Sequence, residues 1–225
     1  MNHFTVLMQF LRDRPKFFET VQSEKYLHQT ALSLLICSSC FFALYGMILG
    51  SFSGGLQILV SAVKLPALYL LTLAICLPAL FFFEVVAGSK RTFLQYLVLL
   101  LASMGVIGVM LLGFAPVTLF FRLSLNDYAF FQLLNIVILG VGSVIGVQVF
   151  YRGMLAIADS DGQELKRRRT AMKLWLFLYA FVGSQLGWTL RPFFGNPGQP
   201  FQLFRSLESN FFLHVLHLFG DLLGL

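Results

Sequence analysis

Four of the polar side chains within the long apolar stretches of this sequence are of types and at places that could support chemistry. They are Glu84, Asn135, Gln148 and Gln185. Ionisable and amide groups in such stretches often mark proton, ion or substrate pathways. Glu84 could bind a proton or a cation, or it could pair with the basic residues at 90–91. The three amides could line a pathway, or they could hydrogen-bond between helices for about 1 kcal/mol each.

Catalytic, cofactor and metal motifs do not accompany these groups. The sequence lacks the GxSxG, HExxH, P-loop and GxGxxG patterns in a suitable context. His214, His217 and Asp221 could share one helix face and bind a metal, although this spacing is also common at membrane interfaces. We therefore predict a protein that is not an enzyme, with no cofactor and no resident metal.

The composition indicates where the polar groups lie. Of 225 residues, 58% are hydrophobic and 12% are charged, about half the charge typical of soluble domains, roughly 25%. The mean hydropathy is +0.81. In such a chain the net charge of +6 indicates loops beside anionic lipid rather than a nucleic-acid surface. The composition predicts an integral membrane protein whose basic loop contacts anionic lipid and which binds no nucleic acid.

Five apolar stretches approach or exceed the roughly 20 residues that cross a bilayer. They lie at about 27–50, 65–87, 93–121, 129–151 and 174–190. Amphipathic patterns at 1–26 and 51–64 predict interfacial helices, and residues 191–225 predict a Pro-, Gly- and Phe-rich loop followed by another. The predicted fold class is all-α, a bundle of five transmembrane helices with flanking interfacial amphipathic helices.

Basic residues alternate between loops in a way that predicts orientation. With five spans and a cytoplasmic N-terminus, twelve of the 16 Lys and Arg residues fall in cytoplasmic segments, as the positive-inside rule requires. They are Arg12, Arg14, Lys16, Lys25, Lys90, Arg91, Arg152, Lys166, Arg167, Arg168, Arg169 and Lys173. The remaining four fall in extracytoplasmic segments. Residues 191–225 are then extracytoplasmic.

Residues 88–95 read Gly-Ser-Lys-Arg-Thr-Phe-Leu-Gln. This break between the second and third apolar stretches resembles the Yip1-like family of membrane proteins, which implies five spans and a cytosolic N-terminus. The family's Asp-Leu-Tyr-Gly-Pro motif is matched only by Ala-Leu-Tyr-Gly at 43–46. Residues 188–201 resemble the tail of uncharacterised bacterial membrane proteins, some labelled actin-binding WH2, although no residue here supports actin binding. This resemblance implies a bacterial inner membrane.

Two polar segments are candidates for contact with a partner. One is the basic run at 166–169, which could set topology and attract lipid headgroups or dock a cytoplasmic protein. The other is the constrained aromatic segment at 185–205, which could cap the bundle or meet a partner. The candidate interaction residues are Arg167, Arg168, Arg169, Trp188, Arg191 and Phe193.

Two GxxxG patterns, at 142–146 and 183–187, predict that the fourth and fifth spans pack together. Close-packing glycines, sparse polarity and the lack of a catalytic constellation favour an accessory or scaffold subunit of a membrane complex. The alternative is a small transporter or channel that uses Glu84 and the polar groups of spans four and five. A transporter brings the four polar residues to one cavity, whereas a scaffold scatters them.

Overall fold

The computed structural model of the protein describes residues 3–125, 127–157, 163–195 and 201–204, and all regular structure among them is helical. Long apolar stretches form helices in a membrane because a helix satisfies its backbone N–H and C=O groups within itself. The helices are α1 (His3–Arg12), α2 (Arg14–Gln22), α3 (Leu27–Gly50), α4 (Leu56–Val86), α5 (Phe93–Ser124), α6 (Tyr128–Ala156) and α7 (Gln163–Thr189).

Four helices in the described parts of the chain are long and apolar enough to cross a membrane. The candidate spans are Leu27–Gly50, Leu56–Val86, Phe93–Ser124 and Phe130–Ala156. At a rise of about 1.5 Å per residue, each exceeds a hydrocarbon core of about 30 Å. The prediction of a helical membrane protein is confirmed at this level. Helix α7 has the length but begins with charged turns, so the fifth span at 174–190 stays a prediction.

The long helices pack side by side in the order α6, α5, α3, α4, α7, as an open arc. Helix α3 is in the middle of this order, and α5 beside it buries every residue from Val98 to Gly108. The ends of the arc, α6 and α7, approach where the rings of Phe150 and Trp175 are 5.1 Å apart. We call the end of the bundle where α6 ends and α7 begins the basic end, and the opposite end the far end.

Helix α4 corrects the prediction of a separate interfacial helix at 51–64. The structure has one continuous helix, Leu56–Val86, in place of that helix and a span starting at 65. Its first turns pack backbone to backbone against α3. A Cβ atom at Gly50 would lie 2.4 Å from the Gln57 carbonyl oxygen, and one at Gly46 would lie 2.3 Å from that of Ser61. This close approach, which two glycines permit, keeps the segment helical against α3.

The N-terminal segment is helical, as predicted, but its apolar face packs on protein. Val6, Leu7 and Phe10 are buried, and Leu7 lies against Gly105 of α5, where a Cβ atom would come within 2.8 Å. The His3 Nδ1 atom hydrogen-bonds the Ser33 hydroxyl of α3 at 3.0 Å. Helix α1 is therefore part of the bundle packing, in contact with α3 and α5.

The Thr-Phe-Leu-Gln segment at 92–95 has a local structural role. Thr92 and Gln95 form a capping box, in which each side chain bonds the other residue's backbone at the start of α5. The Gln95 Nε2 atom also donates to the Val21 carbonyl at 2.9 Å. Gln95 is fully buried, so this residue both begins α5 and fastens α2 to it.

Candidate functional site

Glu84 is fully buried near the basic end of α4, where it pairs with Arg168 in the second turn of α7. The Nε and Nη2 atoms of Arg168 lie 3.0 and 2.9 Å from the same Glu84 carboxylate oxygen, Oε2. The exposed fractions of the two side chains are 0% and 4%. The ion pair thus joins α4 to α7 rather than to the basic residues at 90–91, because the run at 166–169 is helical and turns Arg168 inward.

A small polar cluster surrounds this pair. Arg168 makes a long contact of 3.5 Å to the Ser89 hydroxyl, which in turn hydrogen-bonds the Tyr96 hydroxyl. The second Glu84 oxygen, Oε1, has no hydrogen-bond partner among the described residues. The neighbouring Arg167 is exposed and donates to the Val86 carbonyl at 3.4 Å. The ion pair between Glu84 and Arg168 holds two helices together. Because the buried guanidinium neutralises the carboxylate, little negative potential is left to attract a free cation.

Asn135 is fully buried in α6, close to the far end, and belongs to a separate network. Its side-chain oxygen accepts a hydrogen bond of 2.7 Å from the Tyr45 hydroxyl of α3. That hydroxyl also lies 3.3 Å from the Thr118 hydroxyl of α5. The Asn135 amide donates within α6 to the Phe131 carbonyl at 2.7 Å. These bonds connect three helices and satisfy the amide, so Asn135 has a structural partner on both of its polar atoms.

Gln148 and Gln185 lie in other environments. Gln148 is exposed on the surface of α6 that faces away from α5, and its amide has no hydrogen-bond partner in the described parts of the chain. Gln185 is half-buried near the far end of α7. The structure therefore does not bring the four predicted polar residues together. Glu84 and Asn135 belong to two networks near opposite ends of the bundle, while Gln148 is exposed on the outer surface of α6.

The segment that follows α7 folds back over the first turns of α4. We call its described residues, 191–195 and 201–204, the far-end loop. The Ser61 hydroxyl donates to the carbonyl of Phe193, and Lys64 donates to those of Pro192, at 3.3 Å, and Leu203. The backbone carbonyls of the loop thus accept hydrogen bonds from polar side chains of α4. Without the loop, these buried side chains would lack these hydrogen-bond partners.

Arg191 and Trp188, two of the candidate interaction residues, contact each other at the start of this loop. The guanidinium carbon of Arg191 lies 3.2 Å from the centroid of the Trp188 ring, an arrangement that allows a cation–π interaction. Both side chains are half-buried, as is Phe193. The far-end loop thus covers the first turns of α4. The predicted C-terminal helix, with His214, His217 and Asp221, lies outside the described residues.

The residues that hold the far-end loop were missed at the level of sequence. Gln57, Ser61 and Lys64 are spaced four and three apart, which places them on one face of α4. All three are buried. The apolar residues between them predict an interfacial helix, but a polar stripe opposite an apolar one also suits a helix face that binds backbone groups.

A cavity of about 330 Å³ lies between α6 and α7, with α4 and α5 as its floor. The predicted packing of α6 on α7 through their glycines is wrong. Gly142 and Gly146 face α5, where a Cβ atom at Gly146 would lie 2.4 Å from the Ile107 side chain, and Gly183 faces Thr72 of α4. Each helix uses its glycines to approach the interior of the arc, which leaves the gap between the arc's two ends open.

This gap, which we call the α6–α7 groove, has an apolar lining with few hydroxyl groups. Its walls include Ser143 and Gly146 of α6 and Ala180 and Gly183 of α7. None of the four predicted polar residues lines it. Trp175 lies at its basic end, where the indole N–H donates to the Cys76 carbonyl at 2.8 Å. The groove is therefore suited to an apolar ligand or side chain, and lacks the convergent polar groups of an ion pathway.

Comparison of the chain with protein-family models, with curated proteins and with solved structures finds no match. The resemblance of residues 88–95 to the Yip1-like family therefore stays a prediction.

Proposed function

We propose that this protein is a non-enzymatic membrane protein that acts as an accessory or scaffold subunit of a membrane complex. We place it in a bacterial inner membrane with five spans and a cytoplasmic N-terminus, so that the basic end faces the cytoplasm. The distribution of Lys and Arg supports this orientation. The separate networks of Glu84 and Asn135 support a scaffold over a transporter, since both groups already bind neighbouring helices.

The observation that carries the proposal is the position of Gln148. This amide lies one helical turn, about 6 Å, inside Arg152 on the exposed surface of α6. Polar side chains within membrane helices face protein rather than lipid in nearly all cases, because an amide without a partner in hydrocarbon is costly. A second protein that covers Gln148 and hydrogen-bonds it removes this cost.

The rest of that surface suits a helical partner. Leu133, Val137, Gly140, Val144 and Gln148 are all exposed and follow one another at intervals of three or four residues, so they form one face of α6. We call this stripe the α6 outer face. A Cβ atom at Gly140 would meet nothing within 4 Å. A small residue beside β-branched residues and one amide is the pattern through which transmembrane helices associate.

The test is site-specific photo-crosslinking in the native membrane. A photoreactive amino acid at Val144, on the α6 outer face, is compared with one at Ile75 of α4. The two positions are exposed to similar extents, 58% and 54%, so lipid access is matched. We expect an adduct with a second protein from position 144 but not from 75, and we expect Gln148→Leu to reduce it at unchanged protein level.

Three outcomes contradict the proposal. One is an adduct with another copy of the chain alone, which indicates a homo-oligomer. Another is the same set of adducts from both positions, which indicates random encounters in the membrane. The third is an adduct that Gln148→Leu leaves unchanged, because the amide then has no part in the contact.

A further inference from the structure

We propose that the α6–α7 groove binds an acyl chain of an anionic phospholipid from the leaflet at the basic end, and that Arg169 and Lys173 hold the headgroup phosphate. The proposal does not depend on an accessory function. It rests on the shape of the groove, on the helix face that connects the groove to the membrane surface, and on the charge along that face.

The volume and the closed basic end of the groove favour an acyl chain over a helix. The cavity holds about 330 Å³, at the lower end of the range of about 300–1,000 Å³ for pockets that bind small molecules. The rings of Phe150 and Trp175, 5.1 Å apart, also bring α6 and α7 together at the basic end of the groove. A rigid helix that crosses the whole membrane does not fit such a space, whereas a flexible chain of methylene groups does.

One face of α7 connects the groove to the basic end. Arg169, Lys173, Ala180 and Ser184 are separated by four, seven and four residues, so they lie on the same face of the helix. Ala180 and Ser184 line the groove, and Arg169 and Lys173 are exposed. The charged residues thus lie about 11 to 22 Å along the axis from Ala180 and Ser184, in the direction of the membrane surface at the basic end.

The charge of this face selects an anionic headgroup. Two cations about 6 Å apart along one helix face can contact the same phosphate, with the guanidinium group of Arg169 able to bind two of its oxygens. A basic residue near an anionic surface changes binding by roughly fivefold. Arg152 and Arg167 are also exposed, but neither lies on the face that leads into the groove, so they serve as matched charges for a control.

Fluorescence quenching by brominated lipids tests the proposal on the full chain. The protein has two tryptophans, and Trp188→Phe leaves Trp175, at the end of the groove, as the reporter. The protein is reconstituted in phosphatidylcholine vesicles that contain a small fraction of brominated phosphatidylglycerol or of brominated phosphatidylcholine. We expect the anionic lipid to quench Trp175 at about 25-fold lower mole fraction, because two basic residues contribute roughly fivefold each.

Two variants and one control locate the site. Arg169→Gln combined with Lys173→Gln is expected to reduce the preference for phosphatidylglycerol by about 25-fold, roughly fivefold for each residue. Arg152→Gln combined with Arg167→Gln, the control that removes the same charge, is expected to leave the preference within about twofold. Ala180→Phe, which fills the groove, is expected to abolish preferential quenching. The number of phosphatidylglycerol molecules retained by the unmodified protein in native mass spectrometry gives a second measurement that needs no tryptophan variant.

Several results overturn the proposal. Equal quenching by the two brominated lipids shows that the site does not recognise the headgroup. Equal effects of the two charge-removing pairs show general surface attraction only. Unchanged quenching in a folded Ala180→Phe protein shows that the chain does not enter the groove, and the absence of any retained phosphatidylglycerol in native mass spectrometry shows that no specific lipid site exists.

Discussion

Removal of Arg168 is the most informative single perturbation of this fold. Arg168→Met keeps the length of the side chain and deletes its charge, so the Glu84 carboxylate loses both donors at 2.9–3.0 Å. The carboxylate has 0% exposure and cannot turn to water. Arg167→Met removes the same charge from the adjacent, exposed position and is the matched control.

The expected changes in unfolding free energy follow from how deeply each side chain is buried. A buried ion pair that loses one partner typically costs about 3–5 kcal/mol of unfolding free energy, because an unpaired charge remains in a medium that solvates it poorly. Substitution of an exposed arginine typically changes stability by about 0.5 kcal/mol or less. Replacing both members of a buried pair by apolar side chains is often neutral or stabilising. We therefore expect Glu84→Met combined with Arg168→Met to be more stable than Arg168→Met alone.

The assay is unfolding of the purified protein in detergent, for the four proteins of a double-mutant cycle together with the Arg167→Met control. We expect a coupling energy between Glu84 and Arg168 of about 3 kcal/mol or more, beyond the range of ordinary contacts. Two results refute the reasoning. One is that Arg168→Met destabilises the protein no more than Arg167→Met does. The other is that the unfolding free energy lost in the double variant equals the sum of the losses in the two single variants.

Three further predictions concern the other networks. Tyr45→Phe leaves the buried Asn135 oxygen without its 2.7 Å donor and should destabilise the protein by about 1–3 kcal/mol in the same unfolding assay; no loss of stability contradicts the role given to this bond. Gly50→Ala places a Cβ atom 2.4 Å from a backbone oxygen of α4, whereas Gly140→Ala meets nothing within 4 Å, so only the first should lower the melting temperature. Lys64→Met removes donors to two backbone carbonyls and should accelerate chymotrypsin cleavage in the far-end loop severalfold; an unchanged cleavage rate indicates that the loop is held by its other contacts.

Helix positions in this protein follow closely from the sequence, because an apolar run that crosses hydrocarbon can satisfy its backbone N–H and C=O groups within itself by forming a helix. The predicted stretches at 27–50 and 93–121 correspond to α3 (Leu27–Gly50) and α5 (Phe93–Ser124). The errors arose where a polar pattern could be satisfied by protein or by water. The apolar face of the segment 51–64 predicts an interfacial helix, whereas its polar side chains bind the far-end loop, which is more than 125 residues away.

Polar residues could be identified as buried candidates from sequence, but their partners could not. Glu84 and Arg168 are 84 residues apart, and Tyr45 and Asn135 are 90 apart. A GxxxG pattern shows that a helix can approach a neighbour closely, but it does not say which neighbour. The prediction that α6 packs on α7 failed for that reason.

The sequence by itself determined the class of this protein, its apolar helices and the asymmetry of its basic residues, since these depend on local hydropathy and charge. Only the tertiary structure decided which polar groups meet, which glycines face which helix, and that α6 and α7 leave a groove between them. These features depend on the order in which the helices pack side by side, and that order is set by the combined fit of many side chains rather than by any one segment.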